Sequence, residues 1–491
     1  MSQEKPIHGL TLILGYMGFI VMLVGFITLL PLLTLLFFAH EMNNFFYFFT
    51  PGIASIIVGY LLTFLVRGRN KGKFRHHQES VILVGAWVVA ILVAAMPFMM
   101  TGYYSFTHAV FEMTSGFTAT GFTVVDVESA PRIFLMHRSL SMFFGGVGLL
   151  LVLMSVLQAS HGMKLYSAEG HRDRLLPNLI KSARLIFAIY AGYILAGMGI
   201  YRFLGMSWFD AINHSISAFA TGGFSTRAAS IGAFDSFAIE MATVVFMLLG
   251  ATTFVLHLFL LRGRFRDFLV HCETKFLSII LAFFVPVVAF VSVSALSLSW
   301  GEAFRYAVFD VAAVVSTTGY RASNFAKFQL PSTAFFLFLI LFFVGGQAGS
   351  TAGGIKLYRV WIVIKNLWWK MRGNFANKRV VSVNIVNKFG KVQVVDNEEV
   401  AEISAFVFQY ICIVLAGAFV FTLFGYSAQD SLFEFASAMG TMGYTTGILN
   451  YNAHPVVLWT GILGMLIGRL EIIAIYLGIG CLISGIKRRI H

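Results

Sequence analysis

The stretch "TATGFT" at 118–123 decides how this chain folds, because the chain repeats it. "ATGGFS" stands at 220–225, "STTGYR" at 316–321 and "GTMGYT" at 440–445. Aligned on the glycine before the aromatic (Gly121, Gly223, Gly319 and Gly443), the copies agree beyond the loop itself. One residue later come Phe122, Phe224, Tyr320 and Tyr444, and two residues earlier Ala119, Thr221, Thr317 and Thr441. Nine earlier stand Glu112, His214, Asp310 and Glu434, and ten earlier Phe111, Asn213, Phe309 and Phe433. In every copy a moderately apolar stretch of about 12–14 residues precedes the loop. As a helix it would rise about 18 Å, only half a bilayer. With a period of about 100 residues, the chain reads as a fourfold repeat of span, half-helix, loop and span.

Composition sets the medium. Of 491 residues, 58% are hydrophobic and 12% charged, where soluble domains carry about a quarter charged residues. A mean hydropathy of +0.82 requires many segments of about 20 apolar residues each. Runs at 10–38, 45–66, 80–100, 133–158, 185–204, 236–261, 276–298, 333–369 (interrupted), 403–424 and 456–483 make ten spans. They are helical, since in lipid only helices and closed barrels satisfy their backbone. The first run is too long for a signal-peptide core and reads as a retained span. Cys272, Cys412 and Cys481 lie far apart and offer neither metal-ligand spacing nor a disulfide framework.

The formal charge of +13 suggests nucleic acid only until it is mapped. Basic clusters at 67–77, 164–174, 262–266, 359–391 and 487–489 lie between or after apolar runs. With both termini in the cytoplasm, every cluster falls on the cytoplasmic side. The expected architecture is an all-α polytopic membrane protein, its repeats arranged around a central pore. Two extra N-terminal spans occupy 1–77; the repeats follow at 78–178, 179–272, 273–399 and 400–491, the third with a broken second span and a cytoplasmic stretch.

Non-helical backbone at membrane depth survives only when buried in protein or lining a watery cavity. Four loops on one side of one chain meet that condition by facing a shared axis. Glycine permits the backbone conformations that turn carbonyls inward. Carbonyls, helped by Thr and Ser hydroxyls, can replace the hydration shell of a monovalent cation. The half-helices would aim the negative ends of their dipoles at the cavity below. The expected site is a cation selectivity filter made of Ala119, Thr120 and Gly121; Thr221, Gly222 and Gly223; Thr317, Thr318 and Gly319; and Thr441, Met442 and Gly443. A single such loop would read as a turn capping membrane helices, but a turn needs no half-helix in front of it.

Two further motifs complete the pattern: "GGQAGSTAGGIK" at 345–356 and "GRLEI" at 468–472. With the four loops and the leading spans at 10–66, essentially the whole chain resembles the Trk/Ktr/HKT superfamily of potassium transporters, and within it the bacterial TrkH/TrkG-type membrane subunit. The resemblance implies potassium uptake across the bacterial inner membrane, with K+ as the transported ion at the filter carbonyls and no organic cofactor. It implies a homodimer with one pore per subunit, and a cytoplasmic nucleotide-binding ring as regulator. It assigns a gate to Gly345, Gly346, Gln347, Ala348, Gly349, Ser350, Thr351, Ala352, Gly353 and Gly354, with Arg469. The glycine run has its own physical reading. Glycine costs about 1 kcal/mol relative to alanine inside a helix, so this mid-span run is a flexible insert lining a cavity. Small-residue helix packing would explain glycines at spacing four, not so dense a run.

Arg469 lies mid-way through an apolar span, where an ionised residue costs several kcal/mol and is functional by default. Glu471 sits about 200° around the helix from it, so each needs another partner: gate-loop carbonyls for Arg469, or an interhelical salt bridge. Glu112, Asp310 and Glu434 lie too far back to line the filter and are expected to buttress neighbouring loops; His214 breaks their acidic pattern. The walls are unequal. Gly222 and Met442 stand where the other loops have Thr120 and Thr318, and Arg321 stands where they have Thr123, Ser225 and Thr445. A cation beside a cation filter must turn outward or pair, for example with Asp126 or Asp235. An intramembrane enzyme built on the half-helix residues would lack a nucleophile–base spacing and a converging site. A coupled potassium/proton or potassium/sodium symporter is the alternative within transport. The stretch 370–400 reads either as a hairpin that docks a soluble subunit or as a solvated loop against anionic lipid.

Overall fold

Serine starts every half-helix. In the computed structural model, which describes residues 10–64, 66, 78–148, 179–322, 332–375, 384–470 and 472–490, the four run Phe106–Phe117, Trp208–Phe219, Trp300–Val315 and Ala428–Met439. Ser105, Ser207, Ser299 and Ser427 are their N-caps, each hydroxyl accepting from a backbone N–H three residues on. Such a cap contributes about 1 kcal/mol. The other ends close alike. Ala119 N–H donates to Gly116 O and Thr120 N–H to Ser115 O; Thr221 and Gly222, Thr317 and Thr318, and Thr441 and Met442 repeat the two bonds. This is the Schellman closure, made four times. The third half-helix has 16 residues against 12 in the others, and its extra turn lies at the N-terminal end.

Among the described residues, six helical stretches are long and apolar enough to cross a membrane: Thr11–Leu36, Ala39–Thr63, Ser80–Met100, Lys181–Phe203, Cys272–Ala295 and Asn397–Leu423. The second spans of the repeats behave differently. Phe237–Gly250 and Phe254–Leu261 meet at 114°, and Pro455–Leu470 and Ile472–Cys481 at 104°. In the third repeat Ser332–Phe342 gives way to a loop and resumes as Leu357–Phe375. Only the second span of the third repeat reads as broken in the sequence; the unbroken apolar runs at 236–261 and 456–483 conceal the other bends. Close packing accompanies them. A Cβ on Gly250 would lie 2.6 Å from Phe219 O, and one on Gly145 or Gly468 would overlap Phe117 O or Met439 O. In the first repeat Arg132–Val147 ends at Gly148, and the rest of that span lies outside the described residues.

The two leading helices, Leu10–Leu29 and Phe45–Thr63, pack backbone to backbone. A Cβ on Gly18, Gly25 or Gly59 would meet the carbonyl of Gly59, Gly52 or Gly18 at 2.6–2.8 Å, as small-residue packing allows. Among the described residues one segment is extended, and it is a hairpin within the stretch 370–400, one of the two readings the sequence offers there. Ile385–Lys388 and Lys391–Val394 pair antiparallel, with Ile385 opposite Val394, around Phe389 and Gly390, both at positive φ. That is the backbone a two-residue hairpin turn demands. Val386 and Val395 join Ile362, Val400 and Ile403 in a small apolar cluster that anchors the hairpin. The basic clusters at 67–77 and 164–174, and Glu471, lie outside the described residues.

Candidate ion-conducting site

The four loops meet. Ala119, Thr221, Thr317 and Thr441 have φ of 52–57°, and for the three threonines this left-handed backbone is a genuine outlier. Two residues on, the four glycines are also left-handed, at 73–99°. A Cβ on Gly121 would lie 2.6 Å from Gly222 O; on Gly223 it would overlap Thr318 O, on Gly319 Met442 O, and on Gly443 Thr120 O. Each wall therefore leans on the next, and the fourth leans on the first. Glycines and the carbonyls of Thr120, Gly222, Thr318 and Met442 alternate round a closed ring. A cavity of about 150 Å³ on one side of it is lined by all four glycines, by Thr123, Ser225 and Thr445, and by Arg138, Arg227 and Arg321.

Glu112 and Glu434 hold loops, but each its own, which corrects the expectation of buttressing neighbours. Buried Glu112 accepts from Thr123 Oγ1 at 2.9 Å, Val124 N at 2.9 Å and Arg138 Nε at 2.6 Å. Buried Glu434 accepts from Thr445 Oγ1 at 2.6 Å, Thr446 N at 2.5 Å and Leu449 N at 2.9 Å. His214 takes the same place in the second repeat, its Nε2 2.9 Å from Ser225 Oγ. The physical reason is the reversal of the chain at the glycine, which brings the residue two after it back to the level of the residue nine before. In the third repeat Asp310 instead accepts from Tyr444 Oη of the next wall, at 3.4 Å.

Other residues join the walls. Tyr320 Oη donates to Phe224 O at 3.2 Å, and Tyr444 Oη to Tyr320 O at 3.0 Å. The first two walls carry Phe, with no hydroxyl to donate. There Arg138 bridges, its guanidinium 3.9 Å over the Phe224 ring and its Nη1 3.4 Å from Ser225 O. Arg138 has no counterpart in the repeat pattern, although a charge inside an apolar run is the same signal that marks Arg469. Arg321 pairs with neither Asp126 nor Asp235. Asp126 accepts from Ser129 and Asp235 meets Arg305 at 3.5 Å, while the Arg321 guanidinium lies 5.5 Å from the Tyr444 ring and lines the cavity.

Residues 345–354 lie against the opposite face of the ring and touch the second, third and fourth repeats. Thr351 Oγ1 donates to Gly250 O at 2.9 Å and lies 3.1 Å from Thr221 Oγ1 and 2.8 Å from Tyr190 Oη. Gly353 N donates to Thr317 Oγ1 at 3.0 Å, and a Cβ on Gly353 would overlap Thr441 Oγ1. Three left-handed threonines thus present their hydroxyls to this loop. Arg469 donates to Thr351 O, and to Gly145 O and Gly146 O at 2.8 and 2.9 Å, which ties the loop to the first repeat. Gln347 N donates to Ala251 O at 2.9 Å and Gln347 Oε1 accepts from Thr253 N at 3.1 Å. Ser350 Oγ donates to Gln347 O at 2.7 Å. Gly349 and Gly354 are left-handed; Gly345 N donates to Ile355 O at 2.8 Å, and Gly346 packs on Ala352. Ala348 N donates to Glu273 Oε1 at 2.8 Å.

Relatives share the whole of this arrangement's length. Residues 44–480 match the family model TrkH, described as a cation transport protein. The Trk system potassium uptake protein TrkH of Halomonas elongata is 30% identical over 95% of this chain and 97% of its own length. An uncharacterized cation transporter of Methanocaldococcus jannaschii is 28% identical over 96% of this chain and 95% of its own. The crystal structure of the potassium transporter TrkH from Vibrio parahaemolyticus matches with a TM-score of 0.82 at 26% identity, covering 95% of this chain and 98% of that one. The chain belongs to the TrkH family of cation transport proteins, multi-pass helical membrane transporters and not enzymes.

Proposed function

We propose that this chain takes up potassium across the inner (plasma) membrane through a channel-like pore, with both termini in the cytoplasm. The ring of four glycine loops is the filter, and residues 345–354 with Arg469 are the gate beneath it. The observation that carries the reading is the closed order of contacts from wall to wall, with a cavity on one face and the 345–354 loop on the other. Backbone carbonyls held in such a ring suit a partly dehydrated K+, and no organic cofactor is part of the reading. The working unit is a homodimer with one pore per subunit, controlled by a cytoplasmic nucleotide-binding ring. The names of the relatives, potassium uptake proteins and a potassium transporter, support the choice of ion.

The test is ion flux in reconstituted vesicles, comparing potassium, rubidium, sodium and lithium in the unmodified protein and in Gly223→Ala. The unmodified protein should pass potassium and rubidium ahead of sodium and lithium, and the variant should lose that order or lose flux. Flux that needs a proton or sodium gradient, and not the potassium gradient alone, would replace the channel with a coupled symporter.

A further inference from the structure

Two buried ionisable residues stand at the cytoplasmic end of the span Cys272–Leu296, outside the ring and its gate. Glu273 and His271 are fully buried, and Glu273 Oε2 lies 3.3 Å from His271 Nε2. A buried carboxylate is stable only where donors surround it. Glu273 finds two on one oxygen: Ala348 N–H at 2.8 Å and Tyr358 N–H at 2.9 Å. One is inside the 345–354 loop, and the other opens the helix Leu357–Phe375 that follows it. A single carboxylate therefore clasps both ends of the C-terminal part of this loop. Beside it, Gln347 Nε2 lies 3.2 Å from Thr274 Oγ1.

The other face of the pair leads away from the membrane. The His271 ring lies 4.8 Å from the ring of Phe389, the turn residue of the hairpin Ile385–Val394. At the same turn Gly390 is so close to Asp267 that a Cβ would lie 2.6 Å from its Oδ1. Lys388 Nζ sits 5.2 Å over the Tyr358 ring, and Tyr358 Oη donates to Glu399 at 2.8 Å. The hairpin's second strand is exposed along its whole length, so the element carries one seated end and one open face. We infer that Glu273 is a positioning residue for the gate loop, and that Phe389, acting through His271, sets Glu273 from the hairpin turn. Moving the hairpin then loosens the gate loop without any contact to the ion path. This rests on the reading of 345–354 as the gate, and the experiment separates the two.

The experiment uses the full chain in lipid nanodiscs and vesicles, with Phe389→Ala, Glu273→Gln, Glu273→Ala and, as a control on the exposed strand, Val392→Ser. Amide hydrogen exchange over 345–358 reads the coupling, and potassium flux reads the gate. Phe389→Ala should speed exchange at Ala348 and Tyr358 about tenfold, as for a weakened charge-assisted bond. Glu273→Gln, which keeps an acceptor oxygen, should do so less than Glu273→Ala. Val392→Ser should keep unmodified exchange rates. Unchanged exchange in Phe389→Ala overturns the inference, as does equal deprotection by Val392→Ser. Faster exchange with unchanged flux leaves the coupling standing and overturns the gate reading.

Discussion

A methyl group added at Gly319 would overlap Met442 O, a backbone atom that moves only if the fourth wall moves with it. Gly319 is also left-handed at 73°, so alanine there adds backbone strain to the overlap. Gly319→Ala should abolish ion discrimination or reduce flux at least tenfold, measured in vesicles against unmodified protein. Arg321 poses the opposite problem, a side chain present where the other walls have hydroxyls. Its charge lines the cavity and opposes an arriving cation by about 1 kcal/mol at a few ångströms in water. Arg321→Thr should raise potassium flux about fivefold at low ionic strength, and much less at high salt, where screening removes the effect. Equal gains at both salt concentrations would count against an electrostatic origin.

At the scale of the element, the half-helices were legible because length and repetition together rule out a span. Their caps were legible too, yet easily passed over: "SFTH", "SWFD", "SWGE" and "SAQD" begin the four, and three of them carry the serine-to-acid spacing of a helix start. Replacing Ser207 by alanine should cost about 1 kcal/mol and lower the melting midpoint in detergent by about 1–2 °C. The bends between Phe237–Gly250 and Phe254–Leu261 and between Pro455–Leu470 and Ile472–Cys481 were not legible, since an apolar run reports burial in lipid and not the path of the backbone. What accompanies those bends is the carbonyl that ends the repeat's own half-helix, Phe219 O or Met439 O, pressed against Gly250 or Gly468, a contact distant in sequence that no local pattern encodes. The same holds for the left-handed threonines. Glycine is the residue expected at such a helix end, but here the threonine hydroxyls face residues 345–354 and the glycine stands two places on.

For the molecule as a whole, four copies of one unit are held together by three different devices. Tyr320 and Tyr444 reach back by hydroxyl, Arg138 bridges by charge and ring face, and Arg469 ties the last repeat to the first through glycine carbonyls. The repeat was plain in the sequence, while these joints were not, because each depends on residues that differ between copies. The ring also has a consequence in time. Its last contact joins Gly443 to Thr120, which belong to the fourth and first loops. A nascent chain leaving the ribosome can form three walls in order, but the fourth side stays open until the final repeat has been inserted. Closure is therefore among the last events of biogenesis, and a chain cut short before residue 443 holds no closed ring.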